Sequence, residues 1–260
     1  MVRRRPARDS RRMKKLLIAL AVLVVLVPGG LVLVGLALGH TKVRTHTVAG
    51  PIRAIVVKSG SGDVDLLPAG ARVQVRETRH YVFKQPTLTQ DVTNGVLTLD
   101  AHCGSLYFNC STDLRVTVPA GIEAIVEADS GDIHAGGIGV RDIHAQSDSG
   151  DVHLVLAGRP SVAWAHTDSG DVHVETAGTR AVDAQTDSGD VRVEARGETR
   201  RVVAKTDSGD VDVDVPANEY AVVADTDSGD VELDGISRND RAPRSIVAQT
   251  DSGDITLGGR

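Results

Sequence analysis

The tetrapeptide Asp-Ser-Gly-Asp occurs seven times in this chain, starting at Asp129, Asp148, Asp168, Asp187, Asp207, Asp227 and Asp251. The steps between copies are 19, 20, 19, 20, 20 and 24 residues. A degenerate copy, Ser61-Gly62-Asp63-Val64, comes earlier. A near-constant period of this length marks a repeat architecture, in which each unit buries its apolar side only by stacking on its neighbours. Within a unit the apolar residues alternate. Val182, Ala184 and Thr186 precede one turn, and Val191, Val193 and Ala195 follow it, with Asp183, Gln185, Arg192 and Glu194 between them. Period two means strands with one buried face. Asp, Ser and Gly suit the corner, because Gly permits positive φ and the short polar side chains accept bonds from nearby amides.

Two architectures satisfy this pattern: consecutive antiparallel hairpins in a sandwich, and parallel coils stacked one repeat per rung. The constant spacing favours the stacked coils, an all-β parallel β-solenoid with rungs of about 20 residues. Small residues recur at one inward position (Ala145, Ala165, Ala184, Ala204, Ala224 and Ala248), as a narrow interior requires. Composition agrees. Two Phe, three Tyr and one Trp in 260 residues cannot fill a wide core, so a thin one of Val, Ala, Ile and Leu is expected. Residues 51–120 are β but irregular, with Thr93-Asn94-Gly95-Val96 as a hairpin signal. They read as an opening and capping region before a repeat solenoid over 121–260. The chain ends just after Ile255-Thr256-Leu257, so stacking in sequence order leaves a final rung without a visible cap, open to self-association or shielded by charge.

Charge divides the chain. Residues 1–15 carry eight Lys and Arg against one Asp, whereas the other 245 residues carry 21 Lys and Arg against 34 Asp and Glu, a net charge of −13. So acidic a body argues against a nucleic-acid partner. Leu16 to Gly39 contains no charged residue. As a helix it would span roughly 36 Å, enough to cross a hydrocarbon core of about 30 Å. The run exceeds the 7–15 residues of a usual signal-peptide apolar region, which favours a retained signal anchor over cleavage before His40. The basic flank then places residues 1–15 in the cytoplasm as a short tail, and residues 40–260 outside the cell membrane, after a linker at 40–50.

A basic start, one apolar span, an irregular β region containing Val116-Thr117-Val118-Pro119-Ala120-Gly121, and a ladder of Thr-Asp-Ser-Gly-Asp-Val units together resemble the bacterial β-strand-repeat family called putative adhesins, a domain of unknown function. The resemblance covers most of residues 51–257. It implies a right-handed parallel β-helix on the outer side of the membrane, acting as a binding or structural module on an envelope polymer or protein. A sensor role in an envelope-stress system is the alternative it suggests. It brings no catalytic residues.

Four groups of residues stand out as sites. Stacked in register, the acids of the repeat form columns that include Asp148, Asp168, Asp187, Asp207 and Asp227, and Asp151, Asp171, Asp190, Asp210 and Asp230. Like charges about 4.8 Å apart repel by roughly 1 kcal/mol in water and about 3–4 kcal/mol at an effective dielectric of 20. Either bonds to turn amides and Ser hydroxyls offset this, or a cation such as Ca²⁺ does, which would make a calcium-dependent surface module. His134, His153 and His173 each follow the first apolar residue after the turn and share one outward column, a solvated strip or a transition-metal site. Trp164, Val203, Val223 and Val247 share another, interrupted by Asp183, as a candidate partner surface. Cys103 and Cys110 enclose six residues, and outside the cytoplasm they are expected to pair. Seven copies of Asp-Ser-Gly cannot be seven active sites, so we read the chain as non-enzymatic and without a cofactor.

Overall fold

The computed structural model describes residues 39–70, 72–104 and 109–260. Thr41–Arg260 is one compact unit. Its strands are β1 (His40–Thr47), β2 (Ala54–Ser59), β3 (Val64–Pro68), β4 (Gln74–Tyr81), β5 (Thr87–Thr93), β6 (Val96–His102), β7 (Ser111–Val118), β8 (Glu123–Ala128), β9 (Ile133–Ile138), β10 (Asp142–Ser149), β11 (Val152–Leu156), β12 (Val162–Ser169), β13 (Val172–Thr176), β14 (Ala181–Ser188), β15 (Val191–Ala195), β16 (Arg201–Lys205), β17 (Val211–Val215), β18 (Glu219–Ser228), β19 (Val231–Asp234), β20 (Ser237–Arg238), β21 (Ser245–Ser252) and β22 (Ile255–Gly259). Among the described residues no helix is long and apolar enough to cross a membrane. The expected span over 16–39 lies, but for Gly39, outside them.

Two eleven-stranded sheets face each other, and each rung contributes one strand to each sheet. One sheet runs β1-β4-β7-β3-β9-β11-β13-β15-β17-β22-β19, and the other β20-β18-β21-β16-β14-β12-β10-β8-β2-β6-β5. At about 4.8 Å per strand, eleven strands extend roughly 48 Å across the ladder. Pairing between rungs is parallel, and the antiparallel pairs β4–β7 and β5–β6 lie at one end. The expected inward column is present: Ala145, Ala165, Ala184, Ala204, Ala248 and Ala224 pair in that order. Opposite them stack Leu154, Val174, Val193, Val213, Leu257 and Leu233. Small residues face branched ones, which keeps the core thin and dry without aromatic side chains.

The rungs do not stack in sequence order at either end. β22 lies between β17 and β19, and β21 lies between β16 and β18. The last repeat in sequence is therefore next to last in space, and the acidic columns run from Asp207 to Asp251 and only then to Asp227. The strand at the sheet edge is β19, not the C-terminal β22. The 24-residue step carries this detour: after β19 the chain passes over the end through residues 235–244 and returns one rung inward. Tyr220, 1% exposed, closes the interior there, and its hydroxyl donates to the Pro216 carbonyl at 3.0 Å. The opposite end mirrors this. β2 and β3 are inserted between β6/β7 and β8/β9, so the first rung formed is not the outermost. The hairpin at Asn94-Gly95 is present, with φ of 53° and 76°, and it pairs Thr93 with Val96. Two positive φ values give the primed turn that suits strand twist.

Residues 40–47, expected within a linker, instead form edge strand β1 beside β4. Its residues His-Thr-Lys-Val-Arg-Thr-His-Thr are almost all exposed. With no apolar face, the strand leaves no periodicity to read, and its hydrogen bonds alone define it.

Candidate functional site

The Thr, the Gly and the second Asp of Thr-Asp-Ser-Gly-Asp bond to the neighbouring rung. The Thr hydroxyl donates to a Gly carbonyl one rung away: Thr167 to Gly150 at 2.8 Å, Thr186 to Gly170 at 2.9 Å, Thr206 to Gly189 at 2.9 Å, Thr250 to Gly209 at 3.0 Å and Thr226 to Gly253 at 3.0 Å. The second Asp accepts, on Oδ1, the backbone N–H of the next second Asp. This ladder passes from Asp132 to Asp151 (2.9 Å), Asp171 (2.8 Å), Asp190 (2.8 Å), Asp210 (2.9 Å), Asp254 (2.8 Å) and Asp230 (2.9 Å). Asp63 extends it backwards, accepting from Asp132 at 3.0 Å. Bonds from amide to carboxylate are charge-assisted and offset the like-charge repulsion along the column. The first Asp column (Asp148, Asp168, Asp187, Asp207 and Asp227) is exposed on the turn. Of the calcium candidates, therefore, Asp151, Asp171, Asp190 and Asp210 each have one oxygen committed to an amide, and the others lie in open solvent or at the end of the ladder. Removing the carboxylate in Asp190→Ala should lower stability by roughly 1 kcal/mol, whereas Asp190→Asn keeps the acceptor oxygen and should be nearly neutral. Denaturant melts of the two variants check this.

The outward apolar column is contiguous in register: Trp164 pairs with Asp183, Asp183 with Val203, Val203 with Val247, and Val247 with Val223. It is not uniformly open. Val203 is 3% exposed beneath its neighbours, whereas Val223 at the end is 52% exposed. Trp164 is half-buried and forms the centre of an aromatic group that the sequence pattern did not pick out. The His144 ring lies 6.0 Å from it on one rung, and the His166 ring stacks at 5.6 Å on its own strand. A shallow pocket of about 300 Å³ opens beside it, lined by Glu123, Ile125, Glu127, Gln146, His144 and Trp164. The signal was present, since His144 occupies the position equivalent to Trp164 one repeat earlier and His166 follows it by two residues on the same face.

The histidine column lies on the other sheet. His134 pairs with His153, and His153 with His173. The His153 and His173 rings stack at 4.6 Å with an interplanar angle of 4°, and His134 meets His153 edge-on at 5.9 Å. Glu175, two residues beyond His173, shares its face, and the ligand atoms of His153, His173 and Glu175 all lie within 4.8 Å of one another. Beyond them a network of ion pairs continues: Arg192 with Glu194 (2.9 Å) and Asp212 (2.6 Å), Arg196 with Glu175 (3.1 Å), and Arg260 with Asp214 (2.7 Å). Burial holds Asp214 above the usual carboxylate range, against the pull of Arg260.

Burial, and then the charges of His173 and His134, hold His153 below the ordinary histidine value of 6.5. As pH falls through and below that value, the unfolded chain takes up this proton before the folded chain does, so stability is lost on acidification. Melting temperature should therefore fall between pH 7 and 5.5, and His153→Gln should flatten that part of the profile. His134, His173 and Glu175 act on the same group and are best left intact in the comparison.

Cys103 and Cys110 form a disulfide, with Cα atoms 6.1 Å apart.

No curated protein matches this sequence. Three solved structures named putative adhesins are similar to it. That from Parabacteroides distasonis is 12% identical, covering 84% of this chain and 97% of its own, with a TM-score of 0.49. That from Parabacteroides merdae is 10% identical, covering 84% and 95%, with a TM-score of 0.47. That from Bacteroides fragilis is 12% identical, covering 84% and 97%, with a TM-score of 0.45. Residues 47–258, which hold the whole ladder of rungs from β2 to β21 and most of β22, match the Toastrack DUF4097 family model, and the chain belongs to that family.

Proposed function

We propose that this protein is a non-enzymatic, adhesin-like module of the cell envelope, held at the membrane by residues 16–39, with residues 40–260 displayed outside. Its partner, on this reading, is an envelope polysaccharide gripped through the Trp164 face. The observation that carries this is the half-exposed indole flanked by two imidazoles beside a shallow pocket rimmed by Glu123, Glu127 and Gln146. Aromatic faces pack on the apolar faces of sugar rings, and carboxylates and amides at the rim accept and donate bonds to hydroxyls. A broad ladder of rungs suits a long repetitive polymer better than a small ligand. The Cys103–Cys110 disulfide accords with a place outside the cytoplasm. Self-association through the terminal rung would fall to β18 and β19, where exposed Asp225, Asp227, Asp230, Glu232 and Asp234 oppose the docking of a second copy.

Trp164 is the single tryptophan of the chain, so its emission reports directly on this face. Titrating the full chain, purified in detergent, with soluble cell-wall glycan should quench or shift that emission, and Trp164→Ala should lose retention on insoluble wall material. Unchanged emission together with equal retention of the variant would refute the assignment.

A further inference from the structure

We infer that His153, His173 and Glu175 form a binding site for one divalent transition-metal ion of the zinc class, with His134 as a neighbouring reserve ligand. Three observations converge. The side-chain ligand atoms lie within 4.8 Å of one another, close enough for side-chain rotation to bring all three onto one ion at about 2.0–2.2 Å. The Nε2 atoms of both histidines are shut away from solvent and have no hydrogen-bond partner. A buried, unpaired imidazole nitrogen is costly, and an ion would relieve two of them at once. The carboxylate is correctly shared: Glu175 Oε2 accepts from the Arg196 guanidinium at 3.1 Å, and its Oε1 faces His173 Nε2 at 3.8 Å. Glu194 is less available. Its Oε1 accepts from Arg192 at 2.9 Å, its Oε2 lies 3.7 Å from Arg196, and Oε1 stands 4.0 Å from His173.

The donor set decides the class of ion. Two imidazoles and one carboxylate suit zinc, nickel or copper, whereas calcium and magnesium take oxygen ligands. The rungs supply the rest. Parallel in-register pairing places identical positions one strand apart, and here it makes His153 and His173 of consecutive repeats direct neighbours. Loading the site requires the two rings to turn out of their stack, because two parallel ring planes cannot both contain one ion.

The test is calorimetric titration of the full chain, purified in detergent and stripped with EDTA, with zinc chloride at pH 7.5. One zinc equivalent should bind with a dissociation constant of roughly 10 μM or tighter, weaken at least about tenfold at pH 5.5, and resist millimolar calcium. The variant His153→Ala/His173→Ala should lose that equivalent, whereas His144→Ala should keep it. Glu175→Gln should weaken it by about tenfold. These side chains point outward, and circular dichroism checks that the variants fold. A second readout uses only the unaltered chain: zinc-edge X-ray absorption at one equivalent should show two imidazole nitrogens with oxygen completing the shell. Zinc binding that survives loss of both histidines, no binding below about 1 mM, or a shell without imidazole would each overturn the assignment.

Discussion

Val213→Asp should destabilise the solenoid by about 4–5 kcal/mol or more, enough to abolish a cooperative melt of the intact stack. Val213 is fully buried and sits in register between Val193 and Leu257. No polar group of the inward column can meet a carboxylate there, so the substitution buries either an unpaired charge or an unsatisfied acid. One residue away the chain faces outward. Asp212→Asn removes only a half-exposed ion pair with Arg192 and should cost about 0.5 kcal/mol. Thermal unfolding of the two variants side by side reads the register directly. Similar melting temperatures would mean that the assignment of inward and outward faces is wrong.

Gly189→Ala should be nearly as damaging, at roughly 3 kcal/mol, for a reason that lies in the backbone. Gly189 has φ of +143°, a conformation that L side chains rarely adopt. An added Cβ would also collide with the Gly170 carbonyl oxygen and press on Asp171. That carbonyl is the acceptor for Thr186, so the clash strikes the rung-to-rung bonding itself. Gly121→Ala separates the two effects. Gly121 has φ of +78° but open space where a Cβ would stand, so its cost should be about 1 kcal/mol, from conformation alone. If the two variants melt alike, the close approach of successive turns does not constrain the repeat.

Much of this architecture could be read from residue spacing. Alternation in Val182-Asp183-Ala184-Gln185-Thr186 predicted which side chains face in, and the recurrence of Ala at one position predicted the narrow interior. Both follow from period two and from stacking identical units. The order of the rungs could not be read in this way. The register of β21 depends on its own sequence pattern, which fits beside β16 or beside β18 equally well, because both carry Val-Ala at the same positions. Only the longer step before Asp251 hinted that the chain needed extra length to double back. β1 left no signal because its residues have no buried face.

The candidate sites divide along the same line. The acids were visible as columns, but whether a column binds a cation or an amide depends on where Oδ1 points, which spacing alone does not set. The turn places Oδ1 of Asp190 against the amide of Asp210, and so on along the ladder. Glu175 escaped notice beside the histidines, since its importance arises from Arg196 holding its other oxygen. Trp164 was identified as part of an outward column with Val203, Val223 and Val247, and the imidazoles that frame it became evident only when adjacent rungs were brought together.

The measurement that bears most directly on the role of the repeated acids is a thermal melt of the full chain in detergent, first with EDTA and then with millimolar Ca²⁺, with Mg²⁺ as a control. If the Asp ladder is rung-to-rung hydrogen bonding and function lies on the outward faces, the melting temperature should move by no more than about 1–2 °C and equally with either ion. A rise of about 10 °C or more with Ca²⁺ alone would contradict this and make the ladder a calcium site.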